Sequence, residues 1–167
     1  MAEKKTDNTL SVESRLKSLY DLQTILSEID RIKTIRGELP LEVKDLEDQI
    51  AGLHTRIDNV SHEIDEFTRA IAAEKEKINS CQGLIARYNE QMDNVRNNRE
   101  YDLLHKEVEF QSLEIELAQK HITDHSRAIE NRRADIAATD ERVADLEHIL
   151  AEKQSELDEI VSETREQ

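Results

Sequence analysis

From Leu39 to Val95 the apolar positions advance in alternating steps of four and three residues. The series is Leu39, Val43, Leu46, Ile50, Leu53, Ile57, Val60, Ile64, Phe67 and Ile71, then, past Glu74, Ile78, Cys81, Ile85, Tyr88, Met92 and Val95. Glu74 is the only charged residue in it. A heptad kept over about eight repeats has a period of 3.5 rather than 3.6, so the stripe stays in register only if the helix supercoils around a partner. This predicts a coiled-coil strand rather than the surface helix of a globule.

A second pattern starts at Tyr101. One of its seam sets is apolar and spaced by seven: Val108, Ile115, Ile122, Ile129, Ile136, Val143, Leu150 and Leu157. The alternate set is mixed: Leu104, Gln111, Ala118, His125, Arg132, Thr139, Leu146, Lys153 and Ile160. The middle of this wall is therefore polar and thin, and the expectation is looser packing, or help from the flanking Phe110 and Leu117. Between the two patterns lies Asn94-Val-Arg-Asn97-Asn98-Arg-Glu100-Tyr101. Asn97 suits a helix N-cap with Glu100 as its reciprocal carboxylate, and asparagine tolerates the left-handed conformation that can end the preceding helix. A reversal here folds the patterns into an antiparallel hairpin in which residue numbers adding to roughly 195 face each other. Ile71 is then near Ile122, Ile85 near Leu113 and Leu46 near Leu150. The competing reading is a continuous helix in a parallel dimer, since two asparagines do not by themselves stop a helix.

Before Leu39 a shorter pattern carries Val12, Leu16, Leu19, Leu22, Ile25, Leu26, Ile29, Ile32 and Ile35 on a face wider than a two-position seam. It meets Gly37-Glu-Leu-Pro40, where proline removes an amide donor and restrains the residue before it. Heptad spacing persists across Pro40, which favours a kink with little change of register at least as much as a true loop. The predicted fold is all-α: an elongated antiparallel coiled-coil helical hairpin with an N-terminal helix joined through a proline kink. Its parts are a flexible N-terminus over 1–10, an N-terminal helix over 11–37, and a hairpin over 40–165 with its turn near 93–98. At about 1.5 Å per residue the returning helix overshoots the proline by only about ten residues. The face around Leu16, Leu19, Leu22 and Leu26 is thus left needing another partner: a longer returning helix, a second subunit or a different protein. The chain's last residues show no closing cap and read as an interruption.

Composition narrows the function. Of 167 residues, 37% are charged and 3% aromatic, with no tryptophan, three glycines and one proline, which leaves little for a pocket of stacking platforms or for many turns. The formal charge of −15 argues against backbone-driven nucleic-acid binding by this segment. One cysteine allows no internal disulfide and no structural zinc site of its own. No stretch approaches the roughly 18 apolar residues of a membrane span, and the start lacks the apolar core of a leader, so the expectation is a cytoplasmic protein without a membrane partner.

Candidate chemistry is sparse. His121 and His125 share a helical face with Asp124 between them, the spacing at which two imidazoles can hold a divalent metal, but no third ligand follows at motif spacing. The facing rule puts His121 near Glu74, so a histidine–carboxylate contact competes with metal binding and with plain solvation. Cys81, at a seam position, reads as a small buried hydrophobe. Adjacent acids such as Asp140-Glu141 and Asp158-Glu159 point in different directions and lack a cleft. With no phosphate loop and no nucleophile elbow, no enzyme is expected and no cofactor within this segment. The bend offers Arg96, Asn97, Asn98, Arg99, Glu100 and Tyr101 as a candidate contact site, although Glu90, Asp93 and Asp102 offset the arginines.

The stretch Asn98-Arg99-Glu100-Tyr101-Asp-Leu-Leu104-His-Lys-Glu107-Val108, with Leu22-Gln-x-Ile25-x-x-x-Ile29-Asp30 and Leu39-Pro40 further back, resembles the coiled-coil part of bacterial proteins that end in a four-cysteine zinc ribbon. The likeness covers the whole chain; the Asn-Arg-Glu-Tyr segment is moderately specific and the heptads hardly so. It implies a hooked helical hairpin carrying the ribbon at the end of its second helix, and an adaptor or chaperone-like role. Relatives contact an alternative sigma factor or components of flagellar or type III secretion, and RNA binding has been proposed for one branch. The ribbon's cysteines are absent from this chain, so zinc, and any nucleic-acid binding that depends on the ribbon, belong to a longer parent protein. The function implied is a non-enzymatic adaptor or scaffold that recruits a protein partner or a second subunit, with Leu16, Leu19, Leu22 and Leu26 as the candidate partner-binding face. The alternative is a purely structural spacer or oligomerisation module.

Overall fold

The computed structural model describes residues 12–165. It holds two helices, α1 (Val12–Asn94) and α2 (Asn98–Arg165), which pack against each other as an all-α helical hairpin. The expected flexible segment 1–10 and residue 11 lie outside the described residues.

Of the two expectations at Pro40, continuation with little change of register or a true loop, the structure has the first. α1 runs through Gly37-Glu-Leu-Pro40 without interruption, so the residues on both sides of Pro40 belong to one helix. A proline inside a helix withholds the amide that residue i−4 would accept, typically at a cost of about 3 kcal/mol. Here the affected carbonyl is that of Arg36, on a stretch where Arg36, Gly37 and Pro40 are all exposed and water can take the missing donor's place.

At the bend three residues, 95–97, separate the helices. Val95 N–H donates to the Met92 carbonyl at 3.4 Å, and Tyr101 N–H opens the α2 ladder by donating to the Asn97 carbonyl at 3.1 Å. The Asn97 side chain caps α2, its Oδ1 accepting from Arg99 N–H at 2.9 Å. The cap therefore forms without the rest of the expected device: Glu100 makes no bond back to Asn97. No described non-glycine residue has a positive φ, so α1 ends without the left-handed asparagine.

The chain divides into two compact units: Met1–Ile50 with Asp145–Gln167, and Ala51–Ala144. In the second, every seam position of the α1 series from Leu53 to Val95 is buried or half-buried, and so is every one of the α2 series from Leu104 to Val143. Cys81, Ala118 and Val143 lie deepest among its apolar residues. Three of the four polar positions in its α2 wall, Thr139, Arg132 and His125, have a bonding partner or a ring beside them. Thr139 Oγ1 donates to the Asp135 carbonyl at 2.8 Å, Arg132 Nε reaches Glu63 Oε2 at 2.7 Å, and the His125 ring lies 5.6 Å from that of Phe67. Phe110 and Leu117 do not supplement the seam, contrary to expectation; both are exposed. Leu113, expected near Ile85, is exposed as well, because it falls two residues from each of its seam neighbours, Gln111 and Ile115.

In the first unit Leu39, Ile50 and Leu146 are buried, with Val43, Leu46, Leu150, Lys153, Leu157 and Ile160 half-buried. Lys153 Nζ meets Glu42 Oε2 at 3.1 Å, and the Gln154 amide donates to Glu47 Oε1 at 3.4 Å. The register is the expected one within each unit: Glu42 with Lys153, Glu63 with Arg132 and Glu74 with His121 are all pairs whose numbers add to 195.

Candidate functional site

Two candidate surfaces follow from the sequence, and each falls within a single unit. The first is the wide apolar face near the start of α1. By the facing rule the last described residue of α2, Arg165, is level with Asp30, so among the described residues α2 offers nothing opposite positions 12–29. The structure agrees: Leu16, Leu19, Leu22 and Leu26 are between 52% and 61% exposed, and Val12, Tyr20, Ile25 and Ile29 are exposed with them. Coverage begins at Ile32 and Ile35, which are half-buried, in a groove lined by Ile35, Leu39 and Ile160 and rimmed by Glu38, Glu42 and Lys153. The leucine face therefore does not pack against the returning helix around Leu157 and Ile160. Uninterrupted helix is what sets it out along one side, since side chains three and four residues apart share a helical face.

The second is the bend. Arg96, Asn97, Asn98, Arg99, Glu100 and Tyr101 are all exposed, and among the described residues neither Arg96 nor Arg99 makes an ion pair. Tyr101 stacks on His105 with 6.4 Å between ring centroids and 6° between planes, which turns its ring along α2 rather than over the end of the seam. A shallow depression beside the bend is lined by Asn94, Val95, Glu100, Leu103 and Leu104.

The histidine pair has a carboxylate and an aromatic ring as its neighbours. His121 Nδ1 lies 3.2 Å from Glu74 Oε1, and the His121 and His125 rings are 6.4 Å apart between centroids and tilted by 51°, with His125 also against Phe67. Among the described residues there is no cluster of three or more His, Cys, Asp or Glu placed to hold a metal ion. His62, His105 and His148 each sit one turn from a glutamate on the exposed surface, at 3.6–3.9 Å. Cys81 is a buried free thiol at its seam position. Among the described residues no helix is long and apolar enough to cross a membrane.

Titration is perturbed at the two lysines that bridge the helices. Lys77 is held above the ordinary lysine value, chiefly by its hydrogen bond to Glu114 at 2.7 Å, and Lys153 likewise by its bond to Glu42. Both are structural ion pairs at the rim of the seam.

Sequence reasoning missed a set of exposed apolar residues on the outer side of α2: Leu103, Phe110, Leu113 and Leu117. The available signal was a second heptad offset from the seam by one residue, with Leu103, Phe110 and Leu117 seven apart.

The chain matches no family model, no curated protein and no solved structure.

Proposed function

We propose that this chain is a non-enzymatic coiled-coil adaptor that uses the face of Leu16, Leu19, Leu22 and Leu26 to recruit a protein partner or a second copy of itself. The observation that carries this reading is the exposure of those four leucines along one side of α1. Burying one leucine fully contributes roughly 1.5–3 kcal/mol, so covering two or three would supply a large share of the about −8 kcal/mol of a micromolar complex. The likeness to bacterial zinc-ribbon coiled-coil proteins suggests the setting, transcription- or secretion-related assembly in the cytoplasm. It also suggests that zinc and nucleic-acid contacts reside in a ribbon beyond this segment.

The test replaces Leu19 and Leu22 by serine. Sedimentation and pull-down with the full chain should show an association that the double variant loses, while protease protection of residues 51–144 is unchanged. A wild type that stays monomeric at every concentration and retains no partner that the variant fails to retain would overturn the adaptor reading in favour of a spacer.

A further inference from the structure

Leu103, Phe110, Leu113 and Leu117 are 44–62% exposed, although the seam residues interleaved with them, Leu104, Val108, Gln111, Ile115 and Ala118, are all buried or half-buried. The two sets occupy opposite sides of α2. The outer set has the spacing of a coiled-coil seam, seven residues from Leu103 to Phe110 and then three and four to Leu113 and Leu117; Lys106 and Lys120 occupy the remaining positions of the same register. A shallow groove lined by Val108, Glu109, Ser112 and Leu113 runs beside it. This stripe serves neither the hairpin nor the N-terminal leucine face, and it lies wholly within the unit Ala51–Ala144.

Charge decides what fits it. The positions flanking the stripe are Asp102, Glu109 and Glu116 on one side and Glu107 and Glu114 on the other, so both edges are acidic throughout. Glu114 is engaged by Lys77 and Glu109 approaches His105 at 3.6 Å, whereas Asp102, Glu107 and Glu116 make no ion pair among the described residues. In a helix pair the flanking positions of one helix meet those of the other and select the partner by charge. A second copy docked stripe to stripe would set carboxylate against carboxylate in either orientation, and an anionic lipid surface would be repelled for the same reason. A helix with an apolar seam and Lys or Arg at its flanking positions satisfies both the stripe and its edges.

We propose that the outer face of α2 between Asp102 and Lys120 is a docking site for a basic amphipathic helix of a partner protein, paired through Leu103, Phe110, Leu113 and Leu117 and selected by the carboxylates on either side. The site is independent of the N-terminal face and stands whether or not that face recruits a partner.

The probe is a labelled synthetic three-heptad helix with leucine at its seam positions and Lys or Arg at its flanking ones, titrated with the full chain and followed by fluorescence anisotropy. Saturable binding is expected. It should weaken at least about ten-fold with Leu113→Ser and Leu117→Ser together, whose buried area the pairing needs, and less, in a salt-dependent way, with Glu107→Gln and Glu116→Gln. Leu19→Ser with Leu22→Ser should leave it unchanged. Equal affinity for a scrambled peptide of the same composition, or binding indifferent to the leucine pair, would reduce the effect to diffuse charge attraction and overturn the proposal. Self-association of the wild type that the Leu113 and Leu117 variant abolishes would make a second copy the occupant and overturn it equally. Circular dichroism monitors folding; should the serine variant lose helix, the glutamine variant decides, with unchanged affinity at low salt counting against the site.

Discussion

His121 Nδ1 and Glu74 Oε1 meet at 3.2 Å across the hairpin, and the second carboxylate oxygen of Glu74 is buried with no hydrogen-bond partner. Glu74 is thus a half-satisfied carboxylate in an otherwise uncharged α1 series. Its one hydrogen-bond partner is a ring that is itself 42% exposed in its side chain and open to water. Removing a charged group from such a place relieves a desolvation cost that one histidine contact offsets only in part. Glu74→Leu is expected to stabilise the chain by about 1 kcal/mol, seen as a higher urea midpoint with an unchanged slope. A lower midpoint would mean that the histidine contact outweighs the orphaned oxygen.

Ala118 is the most deeply buried side chain, with 0% of its surface exposed. It occupies a position in the mixed wall where a larger residue has no room without moving the helices apart. Ala118→Leu should destabilise by about 1–3 kcal/mol, despite adding apolar surface, because overpacking forces poor rotamers and backbone shifts. Leu113→Ala, five residues away on the outer face, should change stability by no more than about 0.5 kcal/mol. Parallel urea titrations of the two variants check the contrast; equal losses would mean that the seam and the outer face are wrongly assigned.

Lys77 and Lys153 have raised values in the folded chain, from Glu114 and Glu42 respectively. A raised lysine binds its proton more tightly when folded. Its contribution is therefore complete below the unfolded value and is lost as pH climbs through the higher, folded one, in the range above about pH 10. The melting temperature of the wild type should fall more steeply across that range than that of Lys77→Met with Lys153→Met. The difference should be small and should shrink in high salt, since both pairs lie at the solvent-facing rim. Parallel pH profiles for the two proteins would instead show that the pairs contribute nothing to stability.

The 3.5-residue period between Leu39 and Val95 and its resumption after Tyr101 determined long helices and their seams and marked Asn97 as a place for a reversal, while a continuous helix stayed open until the tertiary structure showed the hairpin. A seam residue must be covered wherever it occurs, so the burial of Ile50, Cys81, Val143 and Leu146 is legible without coordinates, as is the pairing of positions adding to 195. Tertiary structure decided what depends on angle around the helix and on which carbonyls water can reach. At Pro40 the sequence left a kink in register and a true loop both open; α1 continues through it, and the carbonyl that loses its donor belongs to the exposed Arg36. Phe110 and Leu117 looked like help for a thin wall and Leu113 like a neighbour of Ile85, but offsets of one residue for the first two and two for the third turn them outward. Arg132 with Glu63, Lys153 with Glu42 and His125 beside Phe67 line the wall instead; the facing rule brings these residues near one another, and the side-chain conformations decide that they meet. The exposure of Leu16, Leu19, Leu22 and Leu26 lies between the two: their apolar pattern is in the sequence, but whether anything covers it depends on where α2 reaches.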